Sequence, residues 1–353
     1  MYYFGAGPAI WPESVKVALS EQVISIPGVG LSLLEIGHRS AWFKSMMEEL
    51  NALAREVLEI PLTHAIFWMP VATRVHFGLI PLHFLSQAQQ AEYYVSGIWS
   101  DFAYQEACAV GRTVLWTPEE LTLAAIGQAN TVYRYCTPNE TIEGIRLLKI
   151  PARKNIPWIA DMTSCIGTEA YAWKDYGFVV AGCQKNLGCA GFTLCIVEKD
   201  FLKDISPGYI PKALDYRVML EHESLYATPP AFACYAALSM LQWLQAQGGV
   251  HVMSQLNIEK SERLYAYIDG SSFYENKIPK ASRSRVNIPF QLSNPDLQND
   301  FLAGAKQEGL LGLEGHARIG GLRASMYNAM PMAGVNALLA YMQHFEEQHD
   351  GRA

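Results

Sequence analysis

Short apolar runs alternate with longer amphipathic stretches along the first two thirds of this sequence, and that alternation limits the folds open to it. Runs at 65–69 (AIFWM), 91–95 (AEYYV), 131–135 (TVYRY), 158–160 (WIA), 178–181 (FVVA) and 192–197 (FTLCIV) are short enough for buried strands. Several of the intervals between them are long enough for crossover helices, which is the pattern of an α/β domain with a mostly parallel central sheet flanked by helices. Such a sheet gathers ligands at the carboxyl ends of its strands. Residues 40–58 (SAWFKSMMEELNALAREVL) place apolar side chains at helical intervals behind Ser40, a natural N-cap. Further helices are expected at 229–247, closed by Gly248-Gly249, at 252–268 and at 333–347, with a strand-like stretch at 284–292. A change of domain is expected near 250. The large domain would span 16–250, and residues 1–15 and 251–353 would form a small α+β domain.

Composition excludes several partners. Of 353 residues, half are hydrophobic and 17% charged, so the chain can bury a large core. With 27 basic against 34 acidic residues, a net charge of −7, and no Lys/Arg-rich run, it lacks the broad basic surface that nucleic acid requires. The seven scattered cysteines contain no Cys-x-x-Cys pair, a reduced pattern that predicts neither a disulfide framework nor a metal site. No basic-then-apolar leader and no apolar run of about 18 residues is present, so a cytoplasmic location away from membranes is the expectation.

The chemistry concentrates at 178–191 (FVVAGCQKNLGCAG), where Lys185 directly follows an apolar strand and precedes a Gly-rich turn. A lysine in a dry site loses its proton more easily and can form a Schiff base; a surface lysine opening a turn would look the same. Asp161 ends another apolar strand, 24 residues earlier. There it can keep a pyridine nitrogen protonated, so that the ring of pyridoxal phosphate absorbs electrons, or it can merely cap the turn at 162–164.

Seven separated motifs, at 4–9 (FGAGPA), 35–40 (EIGHRS), 138–144 (PNETIEG), 181–191 (AGCQKNLGCAG), 228–232 (TPPAF), 282–290 (SRSRVNIPF) and 315–331 (GHARIGGLRASMYNAMP), resemble in order and spacing those of the phosphoserine aminotransferases. The resemblance spans essentially the whole chain. It implies a fold-type-I, pyridoxal 5′-phosphate-dependent enzyme, a homodimer with shared active sites. The implied reaction passes an amino group from L-glutamate to 3-phosphohydroxypyruvate, giving 2-oxoglutarate and O-phospho-L-serine.

By the same resemblance, Lys185 is the Schiff-base lysine, Gln184 a ligand of the cofactor phosphate, Asp161 the partner of the pyridine nitrogen and Thr141 the neighbour of the ring's phenolic oxygen. Trp99 is the tryptophan that covers the ring, and Thr228 reaches the cofactor phosphate from the neighbouring subunit. Thr228 also reads as a helix N-cap, with proline at the first helical position. Arg323 grips the substrate's α-carboxylate with its planar fork. His38, Arg39 and His316 bind the distal phosphate or the side-chain carboxylate of glutamate.

The chain departs from the family pattern in three places. Glycines expected before Phe77 are replaced by Pro70-Val71-Ala72-Thr73-Arg74-Val75-His76, leaving Thr73 and Arg74 to offer backbone N–H groups, and Thr73 a hydroxyl, to the cofactor phosphate. Ala227 stands where asparagine is frequent. Ala317 occupies the place of an arginine that follows the histidine, and Arg318 comes one residue later. In an extended strand that shift turns the side chain to the opposite face, so Arg318 substitutes only if the loop is irregular. The loss opens an alternative substrate, a non-phosphorylated or phosphonate oxo acid. A protein that binds cofactor or metabolite without turnover is a further alternative.

Overall fold

The computed structural model describes residues 1–117, 130–147, 150, 156–203 and 208–349. Its centre is a seven-stranded sheet of β1 (His64–Met69), β2 (Gln90–Tyr94), β3 (Arg112–Trp116), β4 (Thr131–Cys136), β5 (Trp158–Asp161), β6 (Tyr176–Gly182) and β7 (Thr193–Glu198). The order across it is β1-β7-β6-β5-β4-β2-β3. Only β7 runs antiparallel to its neighbours, so the other six strands release their carboxyl ends along one edge. All six apolar runs read from the sequence are strands. The seventh, β3, escaped that reading because it is an edge strand whose Arg112 and Leu115 are exposed, so it carries no continuous apolar run.

Both faces of the sheet are covered, and successive residues divide between them. Val179 and Ala181 of β6 pack toward α2 (Ala41–Val57) and α5 (Ala231–Ala246), alongside Phe43, Leu50, Ala237 and Leu241. Phe178 and Val180 point the other way, toward Phe77, Ile80 and Phe84 of α3 (Thr73–Phe84) and Ala103 of α4 (Ile98–Val110). This period-two division explains why the strand reads as unbroken apolar sequence. Ser40 caps α2 as expected, its Oγ accepting from the Phe43 N–H at 3.2 Å.

Thr228 does not cap a helix. The helix α5 starts only at Ala231 with Pro230 in the cap position, where no side chain accepts a hydrogen bond. Gly248 takes a left-handed φ of 95° and turns the chain directly into α6 (Gly249–Gly270), which starts earlier than its apolar spacing suggested. A second core collects Phe4, Leu264, Ile268, Phe290, Phe301, Leu322, Val335 and Phe345. It lies on a three-stranded antiparallel sheet, β8 (Tyr274–Glu275), β9 (Asn287–Leu292) and β10 (Leu322–Ser325), with α7 (Gln298–Gln307) and α8 (Met332–His349) alongside. Residues 350–353 of the expected small domain lie outside the described residues. Among the described residues no helix is long and apolar enough to cross a membrane.

Candidate active site

The carboxyl ends of β1, β2, β4, β5 and β6 meet residues of the second sheet around a cavity of about 310 Å³, lined among others by Thr73, Arg74, Trp99, Thr141, Asp161, Gln184, Lys185, His316 and Arg323. They arrive from several elements, Thr73 and Arg74 together from α3 and Gln184 and Lys185 together from the turn after β6. Asp161 is the last residue of β5, paired in register with Val180 of β6, and Lys185 follows three residues after β6 ends. Trp99 rides the first turn of α4 and Arg323 projects from β10.

Lys185 is buried, and its Nζ donates to Thr141 Oγ1 at 2.6 Å. Loss of hydration lowers its pKa to about 8, opposed by the attraction of Asp161. The Asp161 carboxyl is pushed up by burial and pulled back by hydrogen bonds from Thr163 and by the Lys185 charge. Its Oδ1 accepts from the Thr163 N–H at 2.8 Å, so the aspartate caps the turn that follows β5. Each group is pushed toward its neutral form by burial and toward its charged form by the other, in a site where solvent screening is weak.

The glycine-free segment forms the start of a helix. Ala72 is extended in the cap position of α3 with no side-chain cap, and the N–H groups of Thr73 and Arg74 open the first turn, where no intrahelical acceptor exists. Such a helix end receives an anion. The Thr73 hydroxyl accepts from Thr163 Oγ1 at 3.2 Å, which accepts in turn from the Gly182 N–H at 3.0 Å. A side chain at Gly182 would collide with Thr73 Oγ1 and the Gln184 amide. The β-branched Val71 and Val75 are accommodated because Val75 faces outward.

Glu140 and Glu143, both in the PNETIEG stretch and given no role from sequence, secure the helix that carries Trp99. Glu140 accepts from the N–H groups of Trp99 and Ser100 at 3.2 and 2.9 Å, and Glu143 from that of Ile98 at 2.9 Å. Burial and the neighbouring Glu143 push the Glu140 pKa up to about 8. The signal available was the spacing of two carboxylates three residues apart, but nothing in the sequence pointed to the helix they cap.

The segment around Ala317 is the main departure from expectation. Residues 317–319 form a turn in which the N–H groups of Ile319 and Gly320 both donate to the His316 carbonyl, at 2.9 and 2.8 Å. Arg318 N–H donates to His316 Nδ1 at 3.3 Å. The strand geometry that would have turned Arg318 away is absent, and its guanidinium carbon lies 5.2 Å from the centre of the Phe102 ring. Arg74 lies over the same ring at 4.5 Å. Deeper in, Nε and Nη1 of Arg323 are buried without a hydrogen-bond partner among the described residues. His38, Arg39 and Thr228 do not line this cavity: His38 is half-buried and the other two are exposed on the surface of the single chain.

The donor set fits pyridoxal phosphate: a desolvated amine, a buried carboxylate at a strand end, an indole, a free helix N-terminus for a phosphate, and an arginine with unmet donors.

The aminotransferase class-V family model matches residues 1–338. The chain is 40% identical to phosphoserine aminotransferase of Legionella pneumophila (strain Corby), over 99% of both sequences. The solved phosphoserine aminotransferase from Bacillus circulans subsp. alkalophilus superposes with a TM-score of 0.93 at 34% identity, covering 98% of each chain. The pyridoxal-phosphate-bound phosphoserine aminotransferase from Trichomonas vaginalis gives 0.90 at 30% identity, covering 96% of this chain and 99% of that one.

Gly182→Ala is expected to weaken retention of pyridoxal phosphate by about tenfold, the cost of overpacking against Thr73 and Gln184. Fluorescence titration of apoprotein with the cofactor measures it, and wild-type affinity would contradict the crowding seen here.

Proposed function

We propose that this chain, which belongs to the phosphoserine aminotransferases of aminotransferase class V, exchanges an amino group between L-glutamate and 3-phosphohydroxypyruvate, giving O-phospho-L-serine and 2-oxoglutarate with pyridoxal 5′-phosphate as cofactor. The observation that carries the reading is Lys185, desolvated and held on Thr141 beside the buried Asp161.

Bound pyridoxal phosphate supplies a ring that takes up the electrons left when a substrate Cα loses its proton. The protein's own groups do the rest. Lys185 Nζ holds the cofactor and, as a neutral amine, removes the proton from Cα of the amino donor and delivers it again. Asp161 would keep the proton on the ring nitrogen, and Trp99 would cover the ring. The N–H groups of Thr73 and Arg74, the Thr73 hydroxyl and Gln184 take the cofactor phosphate. Arg323 meets the α-carboxylate through two parallel hydrogen bonds.

At the far end of the cavity, His316, Arg74 and Arg318 receive the substrate's second anionic group. Arg318 is exposed and stands outside the cavity lining, but its guanidinium shares the Phe102 ring with Arg74, which lines it, and this clustering supports a phosphorylated oxo acid. His38, Arg39 and Thr228 belong to the same machinery only in a homodimer, where each subunit lends them to the cavity of the other. Serine biosynthesis in the cytoplasm is the setting that suits these substrates.

Lys185→Ala is expected to abolish transamination and the visible absorbance of bound cofactor; wild-type-like turnover would sink the assignment. In the unsubstituted apoprotein, covalent capture of pyridoxal phosphate needs the neutral amine. Its rate should rise about tenfold per pH unit up to about pH 8 and then level off, followed by stopped-flow absorbance. An ordinary lysine would go on accelerating well beyond that point. Arg318→Ala should raise KM for 3-phosphohydroxypyruvate by roughly ten- to hundredfold, the loss of one charge-assisted hydrogen bond, and raise KM for L-glutamate, whose side-chain carboxylate carries less charge than a phosphate, by less. Equal effects on both substrates would remove Arg318 from phosphate recognition. Sedimentation velocity should show a dimer at micromolar concentration, and a fully active monomer would contradict the shared site.

A further inference from the structure

Midway along α6, Lys260 is 2% exposed and points its ammonium at a turn of main chain rather than at an acid. Its Nζ lies 3.2 Å from the carbonyl oxygens of Tyr327 and Met330 and 3.5 Å from that of Met326. No carboxylate stands within ion-pair distance among the described residues, and burial lowers its pKa to about 7. The charged groups that share its side of the fold, Glu13 and Lys16 of α1 (Glu13–Ile24), are exposed and paired with each other. Burying an ammonium is costly, and three carbonyls converging in a dry interior would repel one another. Three N–H donors on one nitrogen answer both problems together.

The turn held in this way reaches the reaction cavity from behind. The Tyr327 hydroxyl donates to the Ala6 carbonyl at 2.6 Å, and its ring centre lies 5.9 Å from Lys185 Nζ. Asn328 N–H donates to Asn186 Oδ1 at 3.1 Å, on the residue next to Lys185. Asn257, one helical turn before Lys260 on α6, donates to Asn328 Oδ1 at 2.9 Å. Two side chains of one helix face thus grip the segment that backs the lysine, while Lys260 itself does not line the reaction cavity.

We propose that Lys260 is a positioning residue for Lys185: its ammonium ties the main chain of residues 326–330 into the shape that sets Tyr327 against the Lys185 amine and Asn328 against Asn186. The proposal rests on Lys185 being the cofactor lysine.

The test uses the holoenzyme at about pH 6, where Lys260 carries its proton. Lys260→Met keeps the length and removes the donors. The expected result is a kcat lower by roughly ten- to hundredfold, as for a small misplacement of a reacting group, with KM for L-glutamate nearly unchanged and an altered visible circular dichroism of the bound cofactor. In Lys260→Ala, methylammonium should restore kcat saturably through the cavity that Lys260 lines, and tetramethylammonium, which has no N–H, should not. Wild-type kcat and circular dichroism in Lys260→Met overturn the proposal, as does a loss of kcat with unchanged circular dichroism and no rescue. If neither variant folds, amide exchange in the unsubstituted holoenzyme decides. Because burial lowers the Lys260 pKa to about 7, an opened turn takes up a proton that the closed one does not hold, so protection of the hydrogen-bonded amides of Met326, Asn328 and Met330, corrected for the intrinsic exchange rate, should rise between about pH 7 and pH 9, and constant protection overturns the idea. Failure of the Lys185 reading has a separate signature, a Lys185→Ala protein that keeps both cofactor band and turnover.

Discussion

Two adjacent parallel strands, β5 and β6, end side by side, and the rest of the cavity depends on that pairing. Asp161 and Lys185 are brought out of water together, each shifted toward its neutral form by burial and toward its charged form by the other. Desolvating such a pair is expensive, and attraction alone repays it poorly. Hydrogen bonds from Thr163 to the carboxylate and from the amine to Thr141 supply the remainder. The sheet that carries the pair is accordingly closed by apolar layers on both faces, with Trp68, Trp158 and Phe178 fully buried.

Much of this was legible from the chain itself, for a definable reason. Strands buried on both faces are predominantly apolar, so β1, β2, β4, β5, β6 and β7 announced themselves even with the buried Glu92–Arg134 pair inside β2 and β4, and Asp161 at the end of β5 and Lys185 just beyond β6 stood out against that background. The edge strand β3 had no such constraint and left no such mark. Glu140 and Glu143 were hidden differently: their partners are backbone N–H groups some forty residues away, which no local pattern encodes. Thr228 failed as a cap because two consecutive prolines hold the chain extended until Ala231.

The region around Ala317 shows how a strand rule misleads when the backbone is not a strand. Alternation assigns neighbouring side chains to opposite faces only where the chain is extended. Here the His316 carbonyl accepts from two successive N–H groups and curls the chain, and Arg318 emerges on the side of Phe102. That ring also lies beneath Arg74, so one aromatic face pattern serves two cations that would otherwise repel.

The stretch from Tyr2 to Ala9 crosses nearly every part of the molecule. Tyr2 and Tyr3 pair with Leu310 and Leu311, the Phe4 carbonyl accepts from the Ser325 N–H, Gly7 lies against the Lys185 side chain, and the Ala9 N–H donates to the Gln184 carbonyl. Its partners lie far downstream, up to 321 positions for the bond between Ala6 and Tyr327. These contacts have the highest sequence separation in the fold's working parts, and loop closure of that length is slow. During synthesis residues 2–9 must wait for residues 310–327 to appear before they can dock fully. Topology thus makes the wall of the cavity beside Lys185 one of the last parts of the fold to close, since it needs strands and segments from both ends of the described chain.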